Sequence, residues 1–300
     1  MLEVERLPDR VLANRSAAAV AARGAAQSTR RASLQAIEAG LSEGRVVPYL
    51  GPGVLTLAER DCRLPSSPQA LVAQLGGSPG DRRTCTEAIS EAFRRDVPPT
   101  ALHNYLASLR ALPLVVHDWY DDLPQKAFAV RSRWSAWGMV QGASRGDHFG
   151  LRYLHSDGTP ARSRVTDLAE TWSTLLYQPL GSVAPGARCS GLVGDLVETT
   201  GAIDGQSPIP EPVQNLSRDR HFLFLGCRLT EKSNRIFVRQ ILQRASAPHW
   251  AVLTEPPTAS EASFMAEQNI EGIDLKLSDF VAALTELRQE EKAQLLLASW

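Results

Sequence analysis

Apolar residues along the chain alternate between helical spacing and short continuous runs. Leu34, Ile37 and Leu41 recur at helical spacing, and Gly44 follows as a stop. Val46-Val47-Pro48-Tyr49-Leu50 then forms a short apolar strand that ends at Gly51-Pro52-Gly53. Ser67-Pro68 supplies an N-cap and a first-turn proline to a helix with Leu71, Val72 and Leu75 on one face, ended by Gly76-Gly77. Two more helices are predicted, one after Asp81 with Ile89 and Phe93 inward, the other after Thr100 with Leu102, Tyr105, Leu106 and Leu109 on one stripe. Further strands are predicted at 114–117, 222–225 and 250–253, and a short one around Ile273–Leu275. A helix with Val238, Ile241 and Leu242, another near Glu261–Gln268, and a last one carrying Leu277, Phe280, Val281, Leu284 and Leu287 complete the pattern.

Strands that are apolar throughout are buried on both faces, and helices between them imply parallel crossovers. The expected fold class is therefore α/β, a doubly wound parallel sheet of the Rossmann-like kind. Residues 126–214 break the rhythm, with Trp134, Trp137 and Trp172 among many Gly, Pro, Ser and Arg residues. That stretch reads as a smaller lobe inserted between the strands. Residues 1–30, rich in Ala and Arg, read as an N-terminal helical extension to a main domain over 31–300.

Composition narrows the function classes. Hydrophobic residues are 43% and charged residues 22%, which excludes a disordered chain. Lys plus Arg number 32 against 33 for Asp plus Glu, so no electrostatic argument points to nucleic acid or an anionic membrane. No apolar run approaches the ~20 residues that span a bilayer. Cys62, Cys85, Cys189 and Cys227 include no C-x-x-C pair. Neither a zinc site nor a secreted disulfide scaffold is expected, and the reading is a reduced, cytoplasmic protein.

Several residues could carry chemistry. Gly51-Pro52-Gly53 after the first strand is either a plain tight turn or a cradle where backbone approaches a pyrophosphate. His117 and Asp118 end the second strand, where cleft residues belong, and serve either as a base or as strand-end caps. Asp118, Asp121 and Asp122 raise a magnesium site, but no phosphate-transfer motif accompanies them and helix capping is favoured. Gly142-Ala143-Ser144-Arg145-Gly146 matches G-x-S-x-G formally, yet Asp147-His148-Phe149-Gly150 starts a helix poorly, which argues against a serine hydrolase.

Together these blocks resemble a family. Val46–Val54 followed by Leu64-Pro65-Ser66 resembles the glycine loop of sirtuin-like NAD-binding domains. Phe222 to Leu229, with Gly226-Cys227-Arg228 inside it and Asn234-Arg235 opening a helix, is similar to the Phe-Leu-Gly-Tyr-Ser-Leu signature of that family. Leu114–Asp122, followed by Leu123 and Ala127, matches the place of its Thr-Thr-Asn-Tyr-Asp-Asp motif. The resemblance spans roughly 45–285 and points to the zinc-free bacterial branch. It implies a sirtuin-like domain with NAD or ADP-ribose as ligand, held by Gly51, Pro52, Gly53, Trp119, Tyr120, Asp121, Gly226, Cys227 and Arg228. Active zinc-free relatives hydrolyse NAD, often in antiviral defence. The implied partner is a nucleotide; a homo-oligomer or protein partner is open.

The departures from the family pattern bear on activity. With Tyr120-Asp121-Asp122 aligned, the family's catalytic Asn falls on Trp119. Its Lys-Leu-His-Gly motif aligns with Gln178-Pro179-Leu180-Gly181, which puts the catalytic His on Leu180, trailed by Gly191-Leu192-Val193 and Asp195-Leu196-Val197. The resemblance thus implies a nucleotide cleft with a degenerate catalytic site. The alternatives are an NAD glycohydrolase with its base relocated to His155, His117 or Asp118, and a closed-cleft scaffold.

Overall fold

The computed structural model describes residues 27–59, 63–76, 82–133, 135–145, 148–161, 171–185, 188–189 and 209–298. Most of the expected N-terminal extension therefore lies outside the described residues. Helix α1, 27–42, leads into strand β1, Val46–Leu50, and a 3-10 turn at Pro52–Leu57. Helices α2, Pro68–Gln74, α3, Arg82–Phe93, and α4, Ala101–Ser108, precede strand β2, Leu114–His117. After α5, Leu123–Phe128, come strands β3, Trp137–Arg145, β4, His148–His155, and β5, Thr174–Gln178. The short strands β6, Gly181–Ser182, and β7, Arg188–Cys189, pair with each other. The chain closes with α6, Glu211–Ser217, β8, His221–Leu225, α7, Lys232–Ile241, β9, His249–Val252, α8, Ala259–Glu267, β10, Ile270–Gly272, and α9, Leu277–Ala298.

Eight strands form one sheet in the order β10-β9-β8-β1-β2-β5-β3-β4, and every pair is parallel except β3–β4. The doubly wound α/β expectation holds. Leu34, Ile37 and Leu41 of α1, Leu102 and Leu106 of α4, and Phe280 and Leu284 of α9 pack on one face. Val213 of α6, Phe237, Val238 and Ile241 of α7, and Phe264 of α8 cover the other. Central strands touch apolar neighbours on both sides, which is why they read as continuous apolar runs.

Two expectations need correction. The last strand is Ile270–Gly272 rather than Ile273–Leu275. Asn269, at φ +52°, turns the chain straight out of α8, so pairing with β9 starts at Ile270 opposite His249. Edge strand β10 needs only one paired side, and Ile273 adds a single bond, its N–H donating to Ala251 O at 2.8 Å. The second correction concerns the wholly parallel sheet, because β4 runs antiparallel to β3 at the edge. Within 126–214, β3, β4 and β5 all extend this same sheet. Gly142–Arg145 lie in β3 and the next described element is strand β4, so no nucleophile elbow forms there.

Candidate functional site

From β1 the chain moves to β2 on one side, and it returns to the other side of β1 only at β8. Turns that leave two neighbouring strands in opposite directions open a crevice beyond their C-terminal ends, the usual ligand position in such sheets. Here the crevice is a cavity of about 510 Å³. Its floor is the pair of turns Gly51-Pro52-Gly53 and Gly226-Cys227-Arg228, and its walls are the first turns of α2 and α7 with Thr254 and Glu255 after β9.

Glycine lets the two turns touch. A Cβ on Gly53 would stand 2.7 Å from Gly226 O, and one on Gly226, at φ +65°, would stand 2.5 Å from Val54 N. Gly53 N donates to Gly226 O at 2.9 Å, Gly51 N to Leu225 O at 2.9 Å, and Val54 N to Gly51 O at 3.1 Å. Pro52 has no N–H to give. The amides of Gly51 and Gly53 are therefore spent on the β8 side, that of Val54 within its own turn, and none from 51 to 54 is left for a ligand.

Strand alternation decides which residue at the end of β2 faces the cavity. Val115 packs on the α1–α4–α9 side and Val116 on the α7 side, so Asp118 follows Val116 toward the cavity. Tyr49 Oη donates to Asp118 Oδ2 at 2.7 Å. Burial pushes the Asp118 carboxyl above its ordinary value and the Tyr49 phenol well above its own. A carboxyl raised by burial and oriented by a phenol can exchange a proton with a bound ligand. Tyr49 had no separate signal in the sequence, since it sits in an apolar run and reads as core.

Arg228 is clasped from behind. Its Nε and Nη2 donate to Glu261 Oε1 and Oε2 at 3.0 and 2.7 Å, and its Nη1 donates to Glu255 Oε2 at 2.8 Å. Glu261 is fully buried and also accepts from Leu229 N at 2.9 Å and Thr258 N at 3.0 Å. Burial pushes the Glu261 carboxyl up, but these donors outweigh it and hold it down to about 2. Cys227 is a buried thiol raised well above its usual value by burial, so it presents no reactive thiolate.

The other expected site residues fall elsewhere. Trp119 and Leu180 do come together, but in an apolar cluster with Leu55, Leu71, Ile89 and Phe93, not on the cavity lining. The Trp119 ring lies 5.9 Å from Phe93 and 5.1 Å from Tyr120, and its Nε1 donates to Pro65 O at 2.8 Å. Tyr120 is buried in the same cluster. Asp121 accepts from His117 Nε2 at 3.1 Å and from Leu123 N at 3.1 Å. Burial raises the Asp121 carboxyl, and these donors outweigh it and leave it lowered. Asp122 pairs with Lys126 at 3.2 Å, so the three aspartates point to three different partners. Among the described residues no group of three or more His, Cys, Asp or Glu side chains is placed to hold a metal ion.

His117 is buried on the face opposite the cavity. Gln178 Nε2 lies 3.1 Å from its Nδ1, and Gln178 Oε1 accepts from Gln125 and Gln141, both at 2.9 Å. The amide of Gln178 is thus oriented to donate, which leaves the imidazole proton on Nε2 for Asp121. His155 pairs with Gly138 at the start of β3, the end of the sheet away from the cavity, and packs edge-on against Trp172 at 5.7 Å. Asp118 alone of the three candidate bases lines the cavity. Residues 191–197 lie outside the described residues.

Comparison with known families bears on this geometry. The SIR2-like domain model matches residues 113–273, more than half of the 300 residues. The chain belongs to the SIR2-like domain family. No curated protein matches it. The SIR2-like match runs from β2 to β10 and takes in Gly226-Cys227-Arg228, while β1 and its glycine turn stand before it. Membership ties the domain to NAD-related proteins. No helix among the described residues is long and apolar enough to cross a membrane.

A dinucleotide ligand fits this SIR2-like cavity in part. The volume lies in the range of small-molecule sites. Hydroxyl and amide side chains of Ser66, Ser67, Gln69, Thr230 and Asn234 can meet ribose and base, whereas the glycine turn gives phosphate no free amide. Gly53→Val is expected to drive the turns apart, costing about 1–3 kcal/mol and abolishing ligand binding. Chemical denaturation and calorimetry with ADP-ribose check both effects.

Proposed function

We propose that this SIR2-like domain binds NAD or ADP-ribose at the β1–β8 switch point without cleaving the nicotinamide bond, and acts as a sensor, regulator or subunit. One observation carries the reading. Trp119 and Leu180, which take the places of the family's catalytic Asn and His in the alignment, are 2% and 4% exposed inside one apolar cluster. Neither side chain can take a proton or orient a water, and losing a positioned base alone typically costs about 10²–10⁴ in rate. The cavity at the ends of β1 and β8 measures about 510 Å³, with hydroxyl side chains in its lining and glycine turns at its floor. Calorimetry should therefore register binding of ADP-ribose, while NAD incubated with the protein should release no nicotinamide above a buffer blank. Absence of heat with either ligand favours a closed scaffold.

A second reading rests on Asp118. It faces the cavity, carries a carboxyl raised by burial and is held by Tyr49, as a relocated base in an NAD glycohydrolase would be. Nicotinamide release that vanishes in Asp118→Asn and persists in His155→Ala would establish that reading in place of the first.

A further inference from the structure

Phosphate is the part of a nucleotide that this cavity is least equipped to hold. The turn amides from 51 to 54 are spent or missing. The first turn of α7, a common place for an anion, follows Glu231, whose side chain makes no capping hydrogen bond but adds negative charge to the cavity lining. Among the described residues lining the cavity, Arg228 is the only cation, against Asp118, Glu231 and Glu255. Two of its nitrogens are fixed to Glu261, which is buried and bound by four donors and cannot leave. Its third, Nη1, is held by the exposed Glu255.

We propose that Glu255 is a built-in competitor for phosphate, holding the Arg228 nitrogen that the pyrophosphate of a bound dinucleotide would take. The two contacts on Arg228 differ in kind. Glu261 is sealed, whereas the Glu255 side chain is 75% exposed and makes a surface pair at 2.8 Å. Such a pair contributes little in water and exchanges at small cost. A phosphate oxygen offers Arg228 the same charge-assisted geometry with more negative charge. Glu255 also adds to the negative charge of the rim, so while it remains it strengthens the repulsion of an approaching phosphate. The cavity then favours the uncharged nucleoside part of its ligand and admits the phosphate only when Glu255 swings into solvent. This inference rests on the nucleotide reading of the cavity.

The test compares the unmodified protein with Glu255→Gln by calorimetry, using ADP-ribose and adenosine. The phosphorus signal of inorganic phosphate serves as a third probe. Glu255 lies at the surface, so the variant is expected to unfold at the same temperature. ADP-ribose should bind about fivefold tighter to Glu255→Gln, the effect of releasing one exposed ion pair, and adenosine equally to both proteins. An equal gain for both ligands, or a gain for neither, overturns the inference while the nucleotide reading stands. If neither nucleotide nor nucleoside binds but phosphate broadens only with Glu255→Gln, the competitor role stands and the nucleotide reading falls. Silence from all three probes overturns both.

Discussion

Trp119→Ala is expected to destabilise the domain by about 3–5 kcal/mol, the usual cost of emptying a buried aromatic site. The indole fills the space bounded by Phe93 and Tyr120 and reaches Pro65 O with its N–H. Its described neighbours Phe93 and Tyr120 are themselves buried in the same close-packed cluster, which limits how far they can move to refill that volume. Trp119→Phe keeps most of the volume and leaves Pro65 O without this donor, so a loss nearer 1 kcal/mol is expected. Urea unfolding of the two variants separates packing from hydrogen bonding. Equal, small losses in both would mean that Trp119 does not seal the cluster, and the argument against catalysis would lose its footing.

Glu261→Ala is the second large effect, with about 3–5 kcal/mol expected from breaking a buried ion pair on one side. The substitution strips Arg228 of its bidentate partner and leaves the amides of Leu229 and Thr258 unpaired at once. These groups tie the turn after β8 to the start of α8, so the cavity floor should loosen with the loss. The acid limb of the stability profile supplies a separate readout. Glu261 is lowered from its ordinary 4.5 to about 2 in the folded protein, so its contribution is complete above pH 4.5 and is lost as pH falls toward 2. That part of the acid dependence should flatten in Glu261→Ala. An unchanged profile with unchanged stability would remove the clasp from the account.

The central sheet was legible in the sequence because its strands are buried on both faces. Phe222–Leu225 and Leu114–Val116 have no polar residue to interrupt them, and each lies between two other strands. The far edge was not legible for the opposite reason. Strand β3 carries Gly138, Gln141 and Gly142, and β4 carries Arg152 and His155, so the stretch resembles loop until its pairing is seen. Gln141 and Gln178 sit opposite each other, and Gln141 Nε2 donates to Gln178 Oε1 at 2.9 Å, a contact that spacing in the chain cannot reveal. The same limit applies to the site. Gly51, Gly53, Gly226 and Arg228 were visible as turn residues after strands, and the cavity is built on them. Tyr49 and Glu261 were not, because one reads as core and the other as the start of a helix, where the structure gives it a capping box with Thr258. Their partners lie 69 and 33 residues away. Trp119 and Leu180 show the converse. The motif resemblance sets them in the places of the family's Asn and His, and the fold puts both in one apolar cluster away from the cavity lining.

The claim that the nucleotide site is retained without the cleaving groups is tested most directly by incubating the pure protein with millimolar NAD and following nicotinamide. The account predicts release no faster than in buffer alone, from protein that binds ADP-ribose in parallel calorimetry. Sustained nicotinamide release by the unmodified protein, lost on Asp118→Asn or His155→Ala, would contradict it.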